Sequence, residues 1–540
     1  MVVEKRRLRR WMTALVFGTP LYALTLNRKP PKALLGTPNE VWPGNAEIGT
    51  ELLVGEFAAA GQRFIVKEFD ALPRDASLRW HDYVNGFSWL GDMRALGTDP
   101  ARVRARDHLG AWLDVFGAWD AVAWQPHVVG ERLCSWFRHF VFLTADDPDD
   151  PLRARLLAAM AVQAKYLRRV IYRGVRDVRC LKSLKGLIFC GLCLPERERD
   201  YTLAIKVLEQ EILRQINPDG GHVQRNPTVL VDVLRDFVEI RELVAAAHHP
   251  IPVYLQGAID RIVPMVRALR HADGQMSLFN GAVEGERDAI DVTLAQAGTK
   301  SKALSHAPHT GFQRLAAGRT LIVMDTGAPP PPAFEHQAHA GLLSFEMSVG
   351  RERLIVNCGA HLRDEGQWAE ALRSTAAHST LTIDDINAIE ILDDGRIGER
   401  CSAIPVTRRE VDGNFYVEAS HDGYRRPFGV VHTRSIYLSP EGEEVRGEDR
   451  IEGPGNQVFA VRFHLHPNVH ASMVQWGKGV LIKLANGQGW QFRATGGTLR
   501  LEESVYFGNG ELRRTEQIVV LGRLNGSGGV VKWGLNVVGS

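Results

Sequence analysis

Between about Leu78 and Met265, apolar residues recur at steps of three and four. Val229, Leu230, Val233, Leu234, Phe237, Ile240 and Leu243 form one stripe; Ile205, Leu208, Ile212, Leu213 and Ile216 form another. That spacing predicts amphipathic helices. The second stripe stops at Asn217-Pro218-Asp219-Gly220-Gly221, residue types that end helices. Ala111–Phe116, Arg132–Leu143 and Leu152–Val170 read as further helices. The breakers do not recur at a fixed spacing, so the pattern is a helical array and not a simple solenoid.

After about Ser305 the period falls to two. Leu343, Phe345, Met347 and Val349 share one face, and Leu342, Ser344, Glu346 and Ser348 the other. Gly350-Arg351-Glu352-Arg353 then turns the chain into Leu354-Ile355-Val356, which predicts a hairpin. Thr380–Ile383, Val430–Leu438, Val458–His464, Gly479–Leu484, Trp490–Ala494, Gln517–Leu521 and Val530–Val538 read as strands. Many short strands at intervals of roughly 10 residues predict an antiparallel sandwich. Pro329–Pro332 is a stiff marker near the junction. The expected division is an N-terminal extension over 1–74, a helical domain over 75–304 and a sandwich over 305–540.

Length and composition agree with a multidomain globular chain: 540 residues, 45% apolar and 24% charged. A net charge of +2 gives no whole-protein field for nucleic acid, so no nucleic-acid partner is expected. Six cysteines are too few for a disulfide framework, and Cys190-Gly191-Leu192-Cys193 sits in an apolar run that predicts core packing. At the N-terminus Lys5, Arg6, Arg7, Arg9 and Arg10 precede the apolar run Trp11–Phe17. No small-x-small cleavage site follows, and the run is far shorter than the ~20 residues that cross a bilayer. A basic amphipathic first helix, no integral membrane span and a cytoplasmic location are the expectations.

Candidate chemistry begins at His222 and Arg225. They follow Gly220-Gly221 at a helix start, where backbone amides and the helix dipole favour an anion. Trp80, Trp89 and Trp136 offer faces for sugar rings or for a core. Tyr166 and Tyr172 are alternative proton donors, and Asp219 and Glu239 are the carboxylates a hydrolase would use.

Several stretches resemble the heparinase II/III-like polysaccharide lyases. They are His336–Glu346, Leu354–Gly359 and Arg373–Asp384 in the strand-rich half; in the helical half they are Gly86–Leu90, Glu131–Trp136 and Asn217–Gly221 with His222, Arg225 and Pro227. The likeness runs from roughly Trp42 to Trp533. It implies an incomplete α/α toroid followed by an antiparallel β-sandwich, acting on an acidic, uronate-containing polysaccharide or oligosaccharide. It also implies β-elimination, in which the carboxylate is neutralised, a base takes the α-proton and an acid protonates the leaving oxygen. The candidates for that work here are His378 or His222 as proton handler, Arg225 or Arg179 facing the carboxylate, and Arg179, Lys182, Asp219, Arg373 and Trp89 as substrate contacts. No cofactor is required; the resemblance implies a structural zinc held by His339, Asn357 and His378. It also makes the periplasm or cell envelope the alternative compartment.

The sequence departs from that pattern at its chemistry. Val229 and Leu230 stand where Tyr and His are expected, and Val178–Ser183 carries Arg179 and Lys182 where an Asn-His pair is expected. Gln337 replaces the first His of the metal element and Asn357 an Asp. Two functions follow: a lyase with relocated groups, or a non-catalytic acidic-glycan-binding or glycan-assembly protein on the same scaffold.

Overall fold

The computed structural model describes residues 17–26, 29–145, 147–171, 176–363, 366–401 and 403–538. Lys5–Arg10, most of the Trp11–Phe17 run and Tyr172 lie outside them. The chain forms two compact units, Met1–Arg214 with Arg235–Ile259, and Gln215–Leu234 with Asp260–Ser540.

The first unit is helical, with one two-stranded hairpin, Glu56–Ala59 against Gln62–Ile65. Its long helices include Asp99–Phe116, Pro126–Arg138, Pro151–Val170 and Arg179–Cys193. Local chemistry sets their starts. The Thr98 hydroxyl accepts the Ala101 amide and the Asp150 carboxylate accepts that of Leu152, each with a proline in the first turn. The expected Ala111–Phe116 helix is the end of Asp99–Phe116, whose first turns are too charged to show an apolar stripe. Arg132–Leu143 proves to be two helices, Pro126–Arg138 and Phe140–Thr144, separated at His139, which leaves helical geometry at φ −101° and ψ 15°. The core gathers Trp80, Trp89, Trp112, Trp136, Phe57 and Phe87, with Arg132 lying over Trp112 and Trp136. Arg132 is fully buried and donates to Gln163 and to the carbonyls of Asn85 and Ala123. No helix among the described residues is long and apolar enough to cross a membrane.

The second unit carries two antiparallel sheets. One runs His470–Val474, Gly479–Lys483, Gly489–Thr495, Gly528–Val538, Glu444–Glu452, Val431–Leu438, Asn414–His421, Val406–Val411. The other runs Thr498–Tyr506, Arg513–Arg523, Val458–Leu465, Glu352–Val356, Phe345–Val349, Thr320–Asp325, Phe312–Ala317, His306–Ala307, with Leu381–Ile383 paired beside it on Val458–Leu465. Their inner faces share one core: Leu315, Ile322 and Met347 from one sheet pack with Val417, Ile436, Trp490 and Leu535 from the other. The rings of Phe345 and Trp533 stack at 5.5 Å. The helical-then-strand order read from the periodicity is therefore the observed one.

One detail differs. The strand expected from Leu342 begins at Phe345, because Leu343 takes a left-handed φ of 56°. Its polar face is buried as well: Glu346 and Ser348 are covered by His271, to which both bond.

Candidate functional site

In the first unit, the stretch where the resemblance expects a neutralising pair opens the helix Arg179–Cys193. Its three cations all meet carboxylates. Arg179 grips Asp177, with Nε 3.0 Å and one terminal nitrogen 2.7 Å from Oδ2. Lys182 lies 3.1 Å from Glu131. Lys185, 1% exposed, places its Nζ 2.5 Å from Asp236, 3.0 Å from Glu131 and 3.1 Å from Glu239. Three donors thus meet three carboxylates. Burial opposes charge at Glu131, yet Lys182 and Lys185 hold its carboxyl far below the usual range. Glu239 also receives Arg138 at 3.0 Å and the Trp42 indole at 2.5 Å. Of these cations Arg179 and Lys182 reach solvent, with side chains 44% and 34% exposed.

Trp89 is fully buried. Its indole donates to the Val84 carbonyl at 3.1 Å, and Phe57 and Phe87 lie 5.4 and 5.1 Å from it, so the sugar-stacking role is corrected to core. Trp80 and Trp136 are equally buried.

In the second unit the Gly-Gly segment is shaped by contact. Gly220 has a φ of 85°, and a Cβ on it would fall 1.9 Å from the Arg261 carbonyl oxygen. Asp219 staples this segment, accepting the amides of His309 and Thr310 at 2.8 Å each and the Thr310 hydroxyl at 2.5 Å. His222 is 1% exposed; its Nδ1 accepts the Gln224 amide, which leaves Nε2 to donate to Gln215 Oε1 at 3.0 Å. Arg225 ion-pairs with Asp325, donates to the carbonyls of Thr310, Ala328 and Gly311, and lies over Phe312. The proton-handling and carboxylate-facing roles expected of His222 and Arg225, and the substrate contact expected of Asp219, are thereby corrected: their polar atoms serve the chain itself. Arg373 likewise donates to the carbonyls of Ala338 and Gly395 at 2.8 Å each.

The same segment meets the loops of the sandwich. Gln224 donates to Gln337 at 2.9 Å, Asn226 to the Asn280 carbonyl at 2.9 Å, and the Asn280 amide oxygen accepts the His339 backbone N–H at 3.4 Å. There His339 and His378 form a pair, Nδ1 to Nε2 at 3.1 Å. His378 Nδ1 faces the Ser374 carbonyl at 2.7 Å and must carry the proton, so its Nε2 accepts from His339 Nδ1. Burial holds both rings neutral, pushing His378 down to about 4 and His339 well below its ordinary value. The ring nitrogen left with a lone pair is therefore Nε2 of His339, which is 7% exposed, whereas both nitrogens of His378, the expected proton handler, are engaged.

These residues do not fit the implied zinc. Asn357 uses both ends of its amide, Oδ1 accepting the Ser379 N–H at 3.0 Å and Nδ2 donating to the Leu278 carbonyl at 3.1 Å. The two imidazoles bond each other, and no cluster of three His, Cys, Asp or Glu among the described residues is arranged to hold a metal.

Sequence reasoning passed over the buried polar group beside this pair. His271 bridges Glu346 at 3.0 Å and Ser348 at 2.8 Å; Arg353 meets Asp273 at 2.7 Å; the Tyr506 hydroxyl donates to Glu284 at 2.5 Å. The one available signal was a glutamate and two serines inside an otherwise apolar strand.

A helical unit followed by an antiparallel two-sheet unit with a histidine-bearing loop defines a polysaccharide-lyase type of scaffold. The chain matches the Heparinase II/III N-terminus over residues 116–299 and the Heparinase II/III-like C-terminal domain over residues 299–534, and it belongs to the heparinase II/III-like family. Its fold is similar to the crystal structure of heparinase III, with a TM-score of 0.73 and 14% identity over 93% of this chain and 86% of that one. It is also similar to heparan sulfate lyase HepC from Pedobacter heparinus, with a TM-score of 0.63 and 16% identity over 96% and 87%. FtsZ-localized protein C of Caulobacter vibrioides is 28% identical over 96% of this chain and 93% of its own length.

Proposed function

We propose that this chain is a non-catalytic member of its family that works in cell division beside FtsZ, using the lyase scaffold as a binding frame. The observation that carries this is that the side chains assigned to β-elimination are engaged within the chain or replaced. Arg225 is closed by Asp325 and three carbonyls, His222 by Gln215 and Gln224, and Val229 and Leu230 transfer no proton. The near full-length likeness to an FtsZ-localized protein supports the cellular setting. Any acidic glycan would be held by Arg179 and Lys182, the solvent-reaching cations, without turnover.

The test has two arms. A fluorescent fusion in the native host is expected to gather at midcell and to disperse on FtsZ depletion. Purified protein on a panel of uronate polysaccharides is expected to give no ultraviolet absorbance from unsaturated product. Localisation indifferent to FtsZ overturns the division reading, and product formation overturns the non-catalytic one. The lyase reading is kept as second because of His339, whose Nε2 carries a lone pair on an oriented ring. If product does form, His339→Gln must abolish it for that reading to stand.

A further inference from the structure

The hairpin His470–Val474 / Gly479–Lys483 turns through Gln475-Trp476-Gly477-Lys478. Gln475 and Trp476 both hold left-handed backbone, with φ of 54° and 55°, a conformation that non-glycine residues resist. The turn presents the Trp476 indole at 103% relative exposure, so no described residue covers either face, and Met473 beside it is 38% exposed. The other tryptophans of this unit contrast with it: Trp490 and Trp533 are buried and Trp368 is 41% exposed.

The stretch of sequence that carries this tip has charge of one sign. From Gly453 to Leu501 the sequence contains no Asp or Glu, while Arg462, Lys478, Lys483, Arg493 and Arg500 fall within it. Lys478, Lys483, Arg493 and Arg500 are exposed and make no ion pair among the described residues; Arg493 reaches back to the Gln475 amide at 3.4 Å.

We infer that Trp476 is a docking knob for an acidic protein surface, one with an apolar pocket rimmed by carboxylates. A convex indole on a strained tip needs a concave partner to remove its faces from water, and tryptophan is enriched among the residues that anchor interfaces in such pockets. Lys478 in the turn and Arg493 against Gln475 supply the charge complementarity and steer the encounter. Resting on the division reading, the inference names the FtsZ polymer as that partner.

The probe is FtsZ from the same organism, polymerised with GTP and pelleted with the full-length chain. Wild type is expected to co-pellet, Trp476→Ala to bind at least tenfold more weakly, and Lys478→Glu/Arg493→Glu to bind weakly with a flattened salt dependence. Trp476 should be quenched by iodide in the free protein and protected when FtsZ is added. Equal binding by wild type and Trp476→Ala overturns the docking assignment and leaves the division reading standing. No binding by wild type overturns both. Trp476-dependent binding to phosphatidylglycerol vesicles without FtsZ binding overturns the protein partner.

Discussion

Replacing Lys185 by Met tests whether the ion cluster of the helical unit is held by one ammonium. Asp236 lies 2.5 Å from Nζ and has that lysine as its only ion-pair partner among the described residues; Glu131 and Glu239 keep Lys182 and Arg138. At an effective dielectric near 20, a contact of about 3 Å gives about 5 kcal/mol of gross attraction, most of it cancelled by desolvation. Removing one partner leaves the desolvation of the other uncompensated, and the expected loss is about 3–5 kcal/mol at pH 7.5. Met fills the space of the lysine stem, so little of the loss comes from a cavity.

The pH dependence separates this cause from general damage. Without Lys185 the fold buries an ionised Asp236 carboxylate with no cation beside it. That cost shrinks as acid removes the charge. In wild type, Glu131 and Glu239 are held low, and that stability is lost only as pH falls below the ordinary carboxylate range. The wild-type-minus-variant difference should therefore narrow between pH 7.5 and pH 5. Urea unfolding followed by tryptophan fluorescence reads it, since Trp42 donates to Glu239 in the same cluster. A loss under about 1 kcal/mol, or an equal loss at both pH values, would refute the assignment.

Arg225→Lys keeps a charge for Asp325 but orphans the carbonyls of Thr310, Gly311 and Ala328, so thermal unfolding of the second unit should show a loss of about 3 kcal/mol. A variant as stable as wild type would return Arg225 to the list of ligand-binding cations. His378, His464 and His466 are held at about 4, 3 and 3 by burial, below the unfolded value, so their stability is present above pH 6.5 and is lost as pH falls. At pH 5 each contributes a loss of about 2 kcal/mol, so denaturant midpoints should drop steeply between pH 6.5 and 5; a flat profile there refutes it. Gln337→His with Asn357→Asp should create zinc binding, seen by metal analysis and a zinc-dependent rise in Tm, while wild type shows neither; a zinc-dependent rise in wild type would contradict the fit drawn above.

The order of helices and strands was legible because periodicity is a one-dimensional signal that burial imposes on every element. Strands escaped it in two ways: Val406–Val411 at a sheet edge is exposed along most of its length, and Thr320–Asp325 is buried on both faces, so neither carries an alternation. Site residues were legible by type but not by partner. Arg225 looks like an anion receptor until Asp325, a hundred positions away, is brought against it. His378 and His339 were both visible in the sequence, but only the Ser374 carbonyl decides which ring keeps a lone pair. Trp89 failed because a tryptophan on a helix has the same spacing whether it faces a sugar or Phe57.

The replaced positions also differ in how far they can be reversed. Val229 is half-buried near the start of its helix, so a tyrosine there could extend toward solvent. Leu230 is 1% exposed in the core, where an imidazole would bury two ring nitrogens among apolar neighbours at a cost of several kcal/mol if unpaired. Arg225 has been drawn into the fold through Asp325 and cannot be freed without orphaning three carbonyls. The side chains that the resemblance assigns to elimination are therefore withdrawn by packing as well as by substitution. Val229→Tyr alone is expected to fold and to yield no elimination product, whereas Val229→Tyr with Leu230→His should lose stability before it gains activity. Activity restored by the single tyrosine would mean that the remaining groups were never withdrawn.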